Sequence, residues 1–382
     1  MTQDPSVGAT PFIPGRDLCG AFYHEAVAPL LADYAPVLPH AAALIGSGSE
    51  VLGFDDAMST DHHWGPRVML FLTEEDHAAY ADGIHELLRQ RLPTSFRGYP
   101  TNFSEPDPND NGVQLLTEIE SGPVNHRVTL STVAAFFQDY MAVDVAAPLT
   151  PADWLTIPQQ KLRTVAAGAI YHDDIGLTEV CARFAFYPHD VWLYQMAAVW
   201  ARIGQEEHLM GRAGYAGDEL GAALIGARLV HDVMQLCFLQ ERAYAPYPKW
   251  FGTAFARLDC ADALQSTLAA ALAARTWQDR EAALAPAYEA VARQHNALGV
   301  TPPLPVTTRP FFGRPWQVIA LHGFADALVD AIADPAVAAI ARRTRMGGID
   351  LISDNTDLRE NTELRPKLAA LYLWRMGSMD AG

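Results

Sequence analysis

Gly46-Ser47-Gly48-Ser49 follows the apolar run Ala41 to Ile45. A glycine-serine loop placed there can bring backbone N–H groups close to an anion, because glycine adopts the turn conformations that aim successive amides at one point. Downstream stand Asp61, His62 and His63. The histidines read either as polar neighbours of a site or, for His63, as an acid–base group poised near neutral pH. Farther along, Arg202-Ile203-Gly204-Gln205-Glu206-Glu207-His208 and Gly211-Arg212 offer charged groups for a polar substrate. Arg202 and Glu206 are also four apart, the spacing of a plain ion pair along one helix face, and Arg228 and Asp232 share that ambiguity. Lys249 sits within Tyr247-Pro248-Lys249-Trp250, where flanking proline and aromatic groups would hold it in place for a phosphate, with Tyr247 and Trp250 as substrate contacts. The alternative is that this whole segment packs. His172-Asp173-Asp174 has the residue types of a metal cluster but reads as solvated residues flanking a helix.

The elements that must position these groups follow from periodicity. Apolar positions at helical spacing run from about Gly20 to Tyr34, and Pro36 and Pro39 end that helix. Val68 to Leu72 reads as a buried strand and Glu74 to Arg91 as an amphipathic helix, with an irregular, proline-broken run from Thr94 to Gly112. Strands are expected over Gly112 to Glu120 and His126 to Thr132, joined as a hairpin through Ser121-Gly122-Pro123. Beyond Pro148 the pattern becomes helical: Trp154 to Ile170, Leu177 to Phe184, Val191 to Ile203, Gly217 to Gln240 and Ala261 to Leu298. After Pro302, Pro303, Pro305 and Pro310, a final helix is expected over Val318 to Ala333. The expectation is an α+β chain: an α/β domain over 1–148 with a mixed sheet and helices, a helical substrate or closure domain over 149–300, and a C-terminal helical subdomain over 301–382 packed on the middle one.

The segment Gly46 to Arg67, with an acidic residue after a Gly-Ser loop, resembles the signature of the polymerase-β-like nucleotidyltransferase superfamily. Its longer wording, Gly46-Ser47-Gly48-Ser49-Glu50, Gly53-Phe54-Asp55-Asp56, Ser59, Asp61-His62 and Trp64-Gly65-Pro66, together with Tyr244 to Gly252, is similar to a bacterial nucleotidyltransferase-like family of unknown function. The resemblance runs from about residue 20 to 370. It implies that Gly46, Ser47 and Ser49 cradle a triphosphate and that Asp61 binds a divalent ion beside it. In that superfamily two carboxylates spaced by one residue leave the same face of an extended chain and reach one metal pair. Here the second position is His63. Imidazole suits Zn²⁺, Ni²⁺ or Mn²⁺ better than Mg²⁺ and brings no negative charge. The later strand His126 to Leu130 offers no third carboxylate; Glu118 and Glu120 are the substitutes, and Asp55 and Asp56 contribute if the loop folds back. By analogy with antibiotic nucleotidyltransferases, Glu206, Glu207 or Glu219 would deprotonate the acceptor.

The expected cofactor is therefore a divalent metal, Mg or Mn with a transition metal in reach of His63, and the expected substrate an NTP. The leading function is nucleotidyl transfer to a small-molecule acceptor in an interdomain cleft. The alternatives are a divergent enzyme using His62, His63 and nearby acids on a small metabolite, and a non-catalytic nucleotide- or metabolite-binding protein. With 45 acidic against 27 basic residues the formal charge is −18, which repels long nucleic acid. Cys19, Cys181, Cys237 and Cys260 stand too far apart in sequence for a disulfide scaffold and read as reduced, mostly buried thiols. Met1 to Asp17 lacks a basic-then-apolar segment, and apolar stretches such as Val318 to Ile340 are interrupted by acids and His322, so the expected setting is cytoplasmic, with no membrane partner.

Overall fold

The structure, a computed structural model, describes residues 12–61, 64–109 and 112–373. The chain is α+β, a small mixed sheet with helices followed by a mostly helical region. It divides into two compact units, one formed by Met1–Pro148 with Arg163–Ala185 and the other by Leu149–Leu162 with Phe186–Gly382. Residues from 301 onward belong to the second unit.

The first unit opens with α1 (Gly15–Phe22) and α2 (Ala28–Tyr34), joined by a π-helical turn over Tyr23–Val27. The wide turn precedes Pro29, whose ring and missing N–H disturb the regular ladder there. Strand β1 (Ala41–Leu44), the short α3 (Ser49–Leu52), β2 (Arg67–Leu72) and α4 (Glu74–Arg91) follow. Thr73 caps α4 by accepting from the Asp76 N–H at 3.1 Å. A two-rung hairpin, β3 (Ser95–Phe96) and β4 (Tyr99–Pro100), precedes β5 (Arg127–Thr132) and α5 (Val133–Met141).

Two expectations fail here. Gly112 to Glu120 is not a strand; it makes only the isolated bridges Phe103–Leu116 and Asp107–Val113. The expected hairpin is absent because β5 pairs parallel with β2, from Arg67 opposite Arg127 to Leu72 opposite Thr132. Nor is Trp154 to Ile170 one helix. Pro158 lacks the N–H a helix interior needs, and the chain breaks into α6 (Pro151–Thr156) and α7 (Gln159–Ala166) before forming β6 (Ala169–Asp173). That strand joins the sheet, whose order is β5-β2-β1-β6 with β1 antiparallel to both neighbours. Helix α8 (Leu177–Ala182) follows.

Alternation on β2 builds both faces of this sheet. Val68, Leu70 and Leu72 pack with Phe22, Val27, Leu31, Ile84 and Leu88 from the covering helices. Phe71 faces the other way and meets Phe136 edge-on, with ring centroids 5.6 Å apart.

The second unit is built on α9 (His189–Tyr215) and α10 (Glu219–Gln240). After α11 (Phe251–Phe255), the expected helix over Ala261 to Leu298 is two, α12 (Ala261–Ala273) and α13 (Trp277–Leu298), because Thr276 caps a new start. The expected Val318 to Ala333 helix is instead the end of a hairpin, β7 (Arg309–Phe311) with β8 (Arg314–Val318), then α14 (Phe324–Asp330); α15 (Pro335–Arg343) continues beyond it. Glycines on α9 admit large neighbours: a Cβ on Gly211 would come within 2.2 Å of the Trp316 ring, and one on Gly214 within 2.2 Å of Trp277. Among the described residues, Glu219–Gln240 is long and apolar enough to cross a membrane by length and composition, with mean hydropathy 1.4, and 61% of that window is buried inside the protein. Cys19, Cys181 and Cys237 are buried thiols and Cys260 is half-buried, as free cysteines.

Candidate functional site

The glycine-serine turn lies where β1 ends. Gly46 has φ +86° and Gly48 φ +146°, both left-handed-side conformations that suit glycine, and Ser49 starts α3. Ser47 is exposed, Gly48 and Ser49 half-buried. Beneath the turn, Arg67 donates through Nη2 to the Ser47 carbonyl at 2.9 Å and through Nε to Glu50 Oε1 at 2.8 Å. Glu50 is only 4% exposed, so this is a nearly buried ion pair bracing the loop. A Cβ on Gly48 would lie 2.7 Å from Arg67 Nη2 and from both Glu50 carboxylate oxygens.

Because β5 runs parallel to β2, Arg127 stands at the same end of the sheet as Arg67. Its guanidinium donates to Gln114 Oε1 at 3.1 Å and lies over the Phe103 ring, 5.7 Å from the centroid. Burial, and then the neighbouring Arg67 charge, pull its pKa down to about 10. Burial also opposes the charge on Arg67, but the Glu50 carboxylate outweighs it and the pKa is raised. The Cys19 thiol, whose Sγ lies 3.4 Å from the Gly65 carbonyl, is pushed up to about 12 by burial, which disfavours the thiolate. Arg67, Glu50 and Arg127 had no assigned role from sequence. The signal for the two arginines was a cation opening each of two strands, β2 and β5; Glu50, on α3, carried none.

Asp61 does not lie on an entering strand. It closes a 3₁₀ turn, Ala57–Asp61, and β2 begins only at Arg67. His62 and His63, with the proposed imidazole ligand, lie outside the described residues. The other acids of the loop are engaged. Asp55 Oδ2 accepts from the Gly15 N–H at 2.7 Å and from the Trp64 indole at 3.0 Å. Asp56 accepts from the Met58 N–H at 2.9 Å. Glu118 and Glu120 are exposed on irregular chain rather than two apart on a strand, so the basis for naming them metal-site substitutes is gone.

The remaining candidates belong to the second unit. Arg202 and Glu206 do not pair along α9. Arg202 Nε faces Asp232 Oδ2 at 3.1 Å and its Nη1 donates to the Leu351 carbonyl at 2.7 Å. Arg228 donates through Nε to both Glu206 oxygens, at 3.0 and 2.8 Å. Thus both suspected same-helix pairs exchange partners across α9 and α10. Arg202 and Glu206, with Gln205, Arg345, Met346 and Leu351, line a cavity of about 490 Å³. Arg212 is exposed on α9. Lys249 is exposed in a 3₁₀ turn, Pro248–Trp250, with Nζ 4.9 Å from the Trp250 ring centroid, and Tyr247 is 46% exposed. Glu207, by contrast, is buried and accepts from the Ile319 and Ala320 N–H groups at 2.8 and 3.1 Å. It anchors backbone and is a poor candidate for the base. Gly46, Ser47, Ser49, Asp61 and Glu118 therefore belong to one unit, and Arg202, Glu206, Arg212, Tyr247, Lys249 and Trp250 to the other.

Residues 154–251 match the family described as "Domain of unknown function (DUF4037)". Among solved structures, the chain is similar to a nucleotidyltransferase-like protein from Exiguobacterium sibiricum 255-15, with 11% identity and a TM-score of 0.30 over 72% of this chain and 76% of that one. No curated protein matches.

Proposed function

We propose that the protein is a nucleotidyltransferase-like enzyme that moves a nucleotidyl group from a nucleoside triphosphate to a small acceptor. The observation that carries this reading is that the Gly46–Ser49 turn, Arg67 beneath it and Arg127 opposite Arg67 on the parallel strand all stand at one end of the sheet. Anions are favoured where turn amides and fixed positive charge meet, and such charge steadies a phosphoryl group during transfer. In this reading Ser47 and Ser49 contact the phosphates, and Arg67 holds the turn in shape.

The donor chemistry bears on the metal. Glu50 is paired with Arg67, and Asp55 and Asp56 are bonded to their own neighbourhood. The ion would therefore rest on Asp61 and His63. One carboxylate with one imidazole suits Mn²⁺ or a softer ion better than Mg²⁺. When bound, the ion supplies charge neutralisation at the departing pyrophosphate. Within the second unit, Glu206 and Arg202 beside their cavity are the acceptor-binding candidates, with Arg212, Tyr247 and Trp250 as further substrate candidates and Lys249 as the candidate for a phosphate.

The test is pyrophosphate release from each triphosphate with Mn²⁺ or Mg²⁺ and a pool of cell metabolites. Release that requires Asp61 is the expected result. Absence of release with every triphosphate and both ions overturns the reading. A gain of Mg²⁺-dependent turnover in His63→Asp would instead identify an altered descendant in which the lost carboxylate is what limits the reaction.

A further inference from the structure

The opposite end of β1 carries a second constellation. The Asp174 N–H donates to the His40 carbonyl at 2.9 Å, continuing the ladder in which Ala41 faces Asp173 and Ala42 faces His172. Residues two apart on a strand leave the same face, so His172 and Asp174 project together beside His40. Asp173 leaves the other face and accepts from the backbone N–H groups of Gly176, Leu177 and Thr178 at 2.9, 3.0 and 2.7 Å. The ligating atoms of His40, His172 and Asp174 all lie within 4.8 Å of one another. The two imidazole rings are 4.5 Å apart, and His172 Nε2 is 2.6 Å from Asp174 Oδ2.

The surroundings prepare His40 as a ligand. Its Nδ1 lies 3.0 Å from the Leu38 carbonyl, an acceptor only, so Nδ1 carries the proton and Nε2 presents a lone pair. The Tyr23 hydroxyl stands 2.8 Å from that Nε2. His172 and Asp174 keep 35% and 48% of their side chains exposed, which leaves an entry path. The cluster opens on a cavity of about 680 Å³ walled by apolar groups such as Leu31, Val37 and Leu38.

We propose that His40, His172 and Asp174 bind a divalent transition-metal ion of the zinc class, with an open coordination position toward that cavity. Two nitrogens and one carboxylate are a zinc-like donor set, whereas Mg²⁺ and Ca²⁺ take oxygen. Tetrahedral bonding separates donors by about 3.3 Å, so the three groups need only small rotations to close on an ion. Binding opens the His172–Asp174 hydrogen bond and releases the Tyr23 hydroxyl from Nε2. The site lies about 20 Å along β1 from the glycine-serine turn and is independent of the reaction proposed there.

The experiment titrates the metal-free full chain with Zn²⁺ against a chromophoric chelator, and with Co²⁺ followed by visible absorption. The expected result is a zinc equivalent that the His40→Ala/His172→Ala pair loses, with affinity falling roughly 100-fold or more in either single variant, whereas Tyr23→Phe, which removes a hydroxyl that competes with the ion for His40 Nε2, retains it. The His62→Ala/His63→Ala pair retains that equivalent. Asp174→Asn, at an exposed position, gives the same readout if a histidine variant fails to fold. Absence of stoichiometric zinc in the wild type, or unchanged zinc in the His40→Ala/His172→Ala or Asp174→Asn variant, overturns the proposal. Pyrophosphate release is a separate readout, so either proposal can fail alone.

Discussion

Arg202 on α9 faces Asp232 on α10, Nε to Oδ2 at 3.1 Å, while Glu206, one turn along its own helix, is held by Arg228. Asp232 is fully buried and neither of its oxygens has a well-aligned hydrogen bond, so the contact works chiefly through charge. Removing Arg202 strands a buried carboxylate. Arg202→Ala is expected to cost about 3 kcal/mol in urea unfolding, and Arg202→Ala/Asp232→Asn clearly less than the sum of its parts.

The neighbouring pair has a different balance. Arg228 keeps 46% of its side chain exposed, so Glu206→Gln should change stability by about 0.5 kcal/mol or less. If Glu206 serves the acceptor, turnover falls at unchanged stability. Turnover unchanged in Glu206→Gln would remove it from the site.

Gly48→Ala places a Cβ against the Arg67–Glu50 pair at a backbone φ of +146°. A loss of about 1–3 kcal/mol is expected, together with weakened triphosphate binding measured by calorimetry. Ser47→Ala, at an exposed side chain, should leave stability unchanged and isolate the binding effect.

Glu207 supplies a pH signature. Burial raises its pKa to about 8 against the pull of the Ile319 and Ala320 N–H groups. The folded state thus holds a proton that the unfolded state has released, and this group's contribution to stability declines as pH rises from about 4.5 to 8. Glu207→Gln should flatten that decline in urea midpoints across the interval. An equally steep profile in the variant would show that Glu207 is ionised throughout.

Asp173 behaves oppositely. Burial works against its charge, but hydrogen bonds from Thr178, Leu177 and Ile175 outweigh it and hold the pKa at about 2. Its contribution is present above the ordinary carboxylate range and is lost as pH falls from about 4 to 2. Asp173→Ala should cost about 1 kcal/mol at neutral pH without removing zinc, because only Asp174 faces the two histidines.

Local rules determined much of this protein. Thr73 and the amphipathic run behind it define α4 at its full length, the apolar run from Val68 to Leu72 defines β2, and proline and glycine punctuate the loops, because capping, periodicity and backbone restriction act over a few residues. The glycine-serine turn was legible for the same reason. Tertiary structure alone decided that β5 adds parallel to β2, that Ala169–Asp173 returns to the sheet's edge, and that Arg202 and Glu206 choose partners on another helix. It also separated Asp173 from Asp174 and brought His40 to His172 from far along the chain. Such pairings are set by which surfaces the whole chain can bury together, and no short window of residues carries that information.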